Sequence, residues 1–171
     1  YGNERTIGEA IRSYDRDAVF LTSKVSPPNL YYDSVIDACR RSLDRLGVEV
    51  IDLYLVHWPN PTVSLRETLD AMATLVDRGM VRNVGVSNFD AHLLRVAQHI
   101  SDVPIALNQV EYHPLYQRPA LLERAADTDV VLGAAAPFGR GLAFENDTLT
   151  TIAEKYDRSV GQVVLRWEIQ R

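Results

Sequence analysis

Cysteine is almost absent from this sequence. Cys39 is the only one, which excludes a disulfide within the chain and a multi-cysteine metal site, and no metal is expected. A reducing cytoplasm is the compartment that suits such a chain. Long hydrophobic runs are missing as well: the longest are strand-like stretches of under about ten residues, against the roughly 20 needed to span a bilayer. A soluble protein is therefore expected. No Lys/Arg cluster offsets the net charge of −5 and the pI near 5.3, so neither nucleic acid nor an anionic membrane has an electrostatic footing. There is no G-x-G-x-x-G, and a Rossmann dinucleotide module is not indicated. The sequence also lacks an initiator Met and any signal or transit-like segment, beginning at Tyr1 in what reads as a loop–helix junction. Those absences mark the start as cut.

What remains is the composition of an ordinary globular domain, 46% apolar and 24% charged, with enough apolar residues for a sizeable core. One domain over 1–171 is expected. Short β-rich runs alternate with longer segments of helical period, the pattern of a parallel α/β architecture. The strands are placed at Val19 to Lys24, Val50 to His57, Val81 to Asn88, Ile105 to Tyr112 and Val130 to Pro137, mostly apolar as strands covered on both faces must be. Tyr32 to Leu46 carries Val35, Ile36, Cys39, Leu43 and Leu46 at helical spacing, and Gly47 follows where a left-handed cap is favoured. Ser64 and Glu67 form a capping-box pair opening a helix that stops at Gly79. Asp90 caps a helix through Gln98, Pro119 starts one through Asp127, and Asp147 caps one through Tyr156. Ser159 with Gln162 repeats the capping box before a final helix.

Polar residues cluster at the ends of these strands. Lys24, His57, Ser87 with Asn88, and Gln109 with Glu111 all sit at or near the carboxyl termini, where a (β/α)8 barrel builds its active site. An open doubly wound sheet also binds ligands at carboxyl strand ends, so position alone leaves two architectures open.

Five motifs in succession narrow the choice: Tyr1-Gly2-Asn3-Glu4 with Gly8, Leu21-Thr22-Ser23-Lys24, Asp52 to Pro59 (Asp-Leu-Tyr-Leu-Val-His-Trp-Pro), Gly85-Val86-Ser87-Asn88-Phe89 and Asn108 to Pro114 (Asn-Gln-Val-Glu-Tyr-His-Pro). In order and strand position they resemble the signatures of the aldo-keto reductases, with a spelling similar to the branch of prostaglandin F synthases and diketogluconate reductases. The resemblance implies an α/β (β/α)8 TIM barrel, present here in part as strands three to seven with their helices. A typical barrel takes about 250 residues, so roughly a third is expected to lie outside the chain.

It also implies an oxidoreductase that reduces aldehydes or ketones with NADPH, NAD being the alternative cofactor, and a small carbonyl compound as substrate partner. Tyr1 takes the role of general acid beside Lys24 and His57. A free Tyr titrates near about 10, and a neighbouring ammonium would bring it down. Ser87, Asn88 and Gln109 resemble the side chains that hydrogen-bond the nicotinamide carboxamide. Pro137, Phe138 and Gly139 match the loop that lies along the pyrophosphate. Ala135 stands where the family usually stacks an aromatic residue on the nicotinamide. Trp58 and Tyr112 are candidates for the substrate pocket.

The family's fourth catalytic residue, an Asp preceding the Tyr-Gly-Asn-Glu motif, falls outside this chain, so the chain by itself is expected to be inactive. Taken singly, each residue has a plainer reading. Lys24 reads as a solvated strand end, His57 as a structural histidine, Ser87 and Asn88 as the start of the next helix, Trp58 as a core aromatic, and Gly139 and Gly141 as a flexible turn. A catalytically silent NADPH-holding or structural barrel is the competing function. Oligomeric state is left open, with a monomer the expectation.

Overall fold

The computed structural model describes residues 2–170. The chain packs as two compact units, Tyr1–Asn108 and Gln109–Arg171. The first holds helix α1 (Glu4–Ile11), strand β1 (Thr22–Val25), α2 (Tyr32–Leu46), β2 (Ile51–Val56), α3 (Leu65–Asp77), β3 (Val81–Ser87), α4 (Ala91–Ile100) and the start of β4 (Ile105–Glu111). The second holds the end of β4, α5 (Pro119–Ala126), β5 (Val131–Ala135), a run of 3-10 turns at Gly139–Glu145, α6 (Asp147–Lys155) and α7 (Val160–Ile169).

In the first unit the strands lie in the order β1-β2-β3-β4, with β1, β2 and β3 pairing in parallel. Every residue of β2 is buried, as expected of a mostly apolar strand covered on both faces, with Asp52 the one charged residue in it. Helix α2 lays Val35, Ile36, Cys39 and Leu46 into the core and α3 adds Leu69, Met72 and Leu75. Each such side chain contributes about 1.5–3 kcal/mol on burial. Helix α2 ends at Gly47, left-handed at φ 67°, whose amide bonds to the Leu43 carbonyl, the cap that the glycine predicts. In the second unit the end of β4 runs beside β5, with the Tyr112 amide donating to the Ala135 carbonyl at 3.3 Å. Helix α7 opens with the full Ser159–Gln162 capping box, and Val164 packs with Ala143 and Leu149 as the core of this unit.

Several boundaries differ from expectation for identifiable reasons. Strand β1 starts at Thr22 rather than Val19 because Val19 closes the 3-10 turn Arg16–Ala18 and the Leu21 amide goes to the Asp52 carboxylate at 2.8 Å. Strands β3 and β5 stop at Ser87 and Ala135, since the residues after them, Asn88 and Ala136, turn left-handed at φ 62° and 50°. Ser64 and Glu67 make no capping box: Ser64 has no side-chain cap bond, because the Glu67 carboxylate instead accepts the Tyr32 amide at 3.0 Å. At α6 the cap is Asn146, which accepts the Leu149 amide, and Asp147 is the first helical residue. Asp90 caps α4 as expected.

Candidate functional site

In the first unit the ladder register settles which side chains share a face. Lys24 stands opposite Leu55, and Leu55 opposite Gly85. Register-matched residues of parallel strands point the same way and alternate along each strand, so Lys24, Leu55 and Gly85 lie on one face. Two residues further along β2 and β3, His57 and Ser87 continue that face. The ladder extends to His57, whose amide donates to the Val25 carbonyl at 3.0 Å. Gly85 is small for a reason: an added Cβ would meet the Leu107 carbonyl oxygen at 2.5 Å.

The Lys24 charge reaches His57. Burial, then the charge of Lys24, hold the His57 imidazolium below its ordinary pKa. Burial lowers Lys24 from the usual ammonium range. The imidazole is thus kept neutral where an ordinary histidine would begin to charge, which suits a hydrogen-bond donor facing a polar oxygen. Asn88, left-handed at φ 62°, donates its side-chain amide to the His57 carbonyl at 2.9 Å and to Ser87 Oγ at 3.0 Å. Both amide hydrogens are thereby used, and Oδ1 is the atom left to accept from an outside donor. Ser87 and Asn88 do not start the next helix, which is capped by Asp90.

Behind this face Glu4 accepts from Ser23 Oγ at 2.6 Å and from Arg45 Nε at 2.6 Å, tying the start of α1 to β1 beside Lys24 and to α2. Burial alone would raise the Glu4 carboxyl, but hydrogen bonds from Ser23, Arg45 and Ser42 and the Arg45 charge hold it below its usual value. Tyr1 lies outside the described residues. Trp58 is 51% exposed, which removes its core reading and leaves its ring accessible to a ligand. A pocket of about 390 Å³ beside β2, lined by Leu30, Val56, Pro59, Val63 and Leu93 among others, is almost wholly apolar.

In the second unit Gln109 and Glu111 share one face of β4 by alternation. Tyr112 is buried and stacks on Trp167 with ring centroids 5.2 Å apart. Ala135 ends β5. The segment after it turns sharply: the Gly139 amide donates to the Ala136 carbonyl, and the amides of Gly141 and Ala143 both donate to the Phe138 carbonyl. Gly139, Arg140 and Gly141 are all left-handed, at φ 57°, 54° and 107°. Among the described residues no group of three or more His, Cys, Asp or Glu side chains is placed to hold a metal, and no helix is long and apolar enough to cross a membrane.

Sequence reasoning found the strand-end residues but missed three features: the Glu4–Ser23–Arg45 tie, the Asn88 bond to His57 and the left-handed run at 139–141. Only the glycines of that run gave a local signal.

The geometry can be set beside known proteins. An aldo-keto reductase of Mycolicibacterium paratuberculosis (strain ATCC BAA-968 / K-10) is 41% identical over 174 residues, covering 99% of this chain and 60% of the relative. A solved structure provisionally named 2,5-diketo-D-gluconic acid reductase B is 36% identical with a TM-score of 0.97, over 100% of this chain and 62% of that one. An aldo/keto reductase from Klebsiella pneumoniae, solved in complex with NADP and acetate, is 33% identical with a TM-score of 0.89, over 99% and 62%. The chain thus spans about 60% of the length of the curated relatives it matches, and its parallel α/β fold is that of part of their (β/α)8 barrel. With the family model for aldo/keto reductases matching residues 1–171 throughout, the chain belongs to the aldo/keto reductase family.

Proposed function

We propose that the protein carrying this chain is an NADP(H)-dependent reductase of aldehydes or ketones. What supports the reading most directly is the shared face of Lys24, His57 and Ser87, with the Lys24 charge acting on His57 and Asn88 bonded to the His57 carbonyl. The relative from Klebsiella pneumoniae is solved in complex with NADP and acetate.

Carbonyl reduction requires a proton at the oxygen that turns negative and a donor aimed at that charge. When bound, a reduced nicotinamide supplies the hydride. Tyr1 is the general acid: the Lys24 ammonium favours the phenolate and lowers the barrier to releasing the phenolic proton. The neutral His57 imidazole donates a hydrogen bond to the substrate oxygen and fixes its position. Ser87 and Asn88 orient the nicotinamide through its carboxamide. Asn88 fits that task in a specific way, because Oδ1 is its remaining acceptor and an amide NH₂ is a matching donor. Pro137, Phe138 and Gly139 are assigned to the phosphates, beside left-handed turns at Gly139 and Gly141 that glycine adopts without strain.

The test is NADPH consumption on adding an aldehyde to the protein made from its full reading frame. Turnover that disappears in Lys24→Met and in His57→Ala supports the reading; turnover unaffected by both removes it. Ala135 favours a second reading, a barrel that holds NADPH without turning over, because the family's usual stacking aromatic is replaced. Tight NADPH binding with no carbonyl-dependent oxidation would select it.

A further inference from the structure

The segment after β5 concentrates unusual backbone. Ala136, Gly139, Arg140 and Gly141 all have positive φ, and for Ala and Arg that region is disfavoured and persists only where surroundings over-determine it. What surrounds it comes from the end of β4. The Arg140 guanidinium donates to Glu111 through both terminal nitrogens, at 3.3 and 3.0 Å to Oε1 and Oε2. The same Oε1 lies 3.4 Å from His113 Nε2. Nδ1 of that ring is buried with no hydrogen-bond partner among the described residues, and a carboxylate oxygen only accepts, so Nε2 is the nitrogen that carries the proton and donates. The ring also fills the space a side chain would need at residue 139: an added Cβ would stand 3.1, 3.3 and 3.4 Å from Cε1, Nε2 and Nδ1. Near-equal distances to three ring atoms mean that His113 presents its flat face to Gly139.

We propose that Glu111 and His113 are positioning residues that hold the Gly139–Gly141 turn in its left-handed form. Glu111 pulls on Arg140 from one side while the His113 ring, itself oriented by Glu111, backs Gly139 from the other. Neither touches the reacting atoms. Their effect falls on the cofactor, since this turn is the segment assigned above to the phosphates; the inference rests on that reading for its consequence, though not for the clamp itself. A preformed turn spares the ordering that binding would otherwise demand.

The decisive variant is Glu111→Gln in the protein from the full reading frame, which keeps shape and removes charge. Two readouts separate the clamp from the cofactor assignment: the rate of tryptic cleavage after Arg140, which needs no ligand, and the Kd for NADPH. The expected result is faster cleavage together with a Kd raised by about three- to tenfold, at an unchanged thermal midpoint. Cleavage no faster than in the unaltered protein overturns the clamp. Faster cleavage with unchanged affinity overturns the role in binding. Tighter NADPH binding overturns it in another way, by showing that Glu111 holds Arg140 off a phosphate it would otherwise contact. If the unaltered protein binds no NADPH at all, the cofactor reading fails and takes the binding role with it, whatever the cleavage rate. His113→Phe is the second variant: it keeps a flat ring against Gly139 and is expected to raise cleavage less than His113→Ala, and equal effects would remove the ring's part in the clamp.

Discussion

The Asn88 side-chain amide donates to the His57 main-chain carbonyl at 2.9 Å, so the residue that follows β3 is stitched to the residue that follows β2. The bond forms because Asn88 turns left-handed at φ 62°, a conformation that Asn adopts far more readily than bulky residues. Replacing it with Asp keeps the shape and the tolerance of positive φ, but turns a donor toward two acceptors into a carboxylate facing them. The Ser87 hydroxyl can turn to donate to that carboxylate, but the His57 carbonyl loses its donor and faces a negative charge, at a cost of about 1–3 kcal/mol. Asn88→Asp is therefore expected to weaken NADPH binding roughly tenfold or more, read by fluorescence titration. Unchanged affinity would detach Asn88 from the cofactor.

Lys24 and His57 offer a test that needs no substrate. Burial and then the Lys24 charge depress the His57 pKa, so Lys24→Met is expected to raise it part of the way back toward the ordinary value near 6.5, burial still holding it down. NMR titration of the His57 ring reads the shift. The linkage sign follows: with the folded pKa depressed, the unfolded chain takes up the proton first, so this group's contribution to stability is intact above about pH 6.5 and is lost as pH falls toward the folded value. Lys24→Met should shrink that loss.

Asp52 is the anchor at the opposite ends of the same strands. It is 2% exposed and accepts from Arg16 at 2.6 Å, from the Leu21 amide at 2.8 Å and from Arg82 at 2.9 Å. Burial alone would raise its carboxyl, but the Leu21 amide and the two guanidinium groups hold it below the usual range. Its stabilisation is thus complete above about pH 4 and is lost as acid protonates it. Asp52→Asn is expected to cost about 2 kcal/mol at pH 7 and to flatten the fall of the unfolding midpoint between about pH 5 and 3. Denaturant titrations at several pH values measure both.

These cases show what the sequence could and could not disclose. The helix Tyr32–Leu46 was legible to the residue because apolar spacing and Gly47 act locally. The strand-end residues Lys24, His57, Ser87 and Asn88 were legible from their motifs, and the ladder register then placed three of them on one face. What was hidden is set by partners distant along the chain. Glu67 leaves its own helix uncapped because its carboxylate accepts the amide of Tyr32, 35 residues away at the start of α2. Asp52 reads as an acid misplaced in an apolar strand until Arg16 and Arg82 arrive from 36 and 30 residues off. His113 shows nothing in sequence of its packing against Gly139.

Ala135 is assigned by the resemblance alone to the place of an aromatic residue stacked on the nicotinamide. An aromatic stack contributes on the order of 1 kcal/mol beyond burial, so Ala135→Tyr in the full-length protein should tighten NADPH several-fold, as read by the Kd. Equal affinities would show that residue 135 does not face the nicotinamide.

Gly8 tests the frame that carries the site. A Cβ there would collide with the Leu46 carbonyl oxygen and lie 2.7 and 2.9 Å from the Leu46 carbonyl carbon and Cα, so α1 touches the end of α2 through bare main chain. Backbone cannot swing aside as a side-chain tip would, and overpacking of this kind costs about 1–3 kcal/mol. The helix that moves is the one whose Glu4 bonds Ser23 and Arg45, the tie next to Lys24. Gly8→Ala should therefore lower the thermal midpoint by several degrees, about 2–4 °C per kcal/mol for a domain of this size, and should also break the Glu4 tie. Combined with Glu4→Gln, the loss should be smaller than the sum of the two single losses, because residues acting through one contact do not add. Strict additivity in melting experiments would show that Gly8 packing and the Glu4 tie act independently.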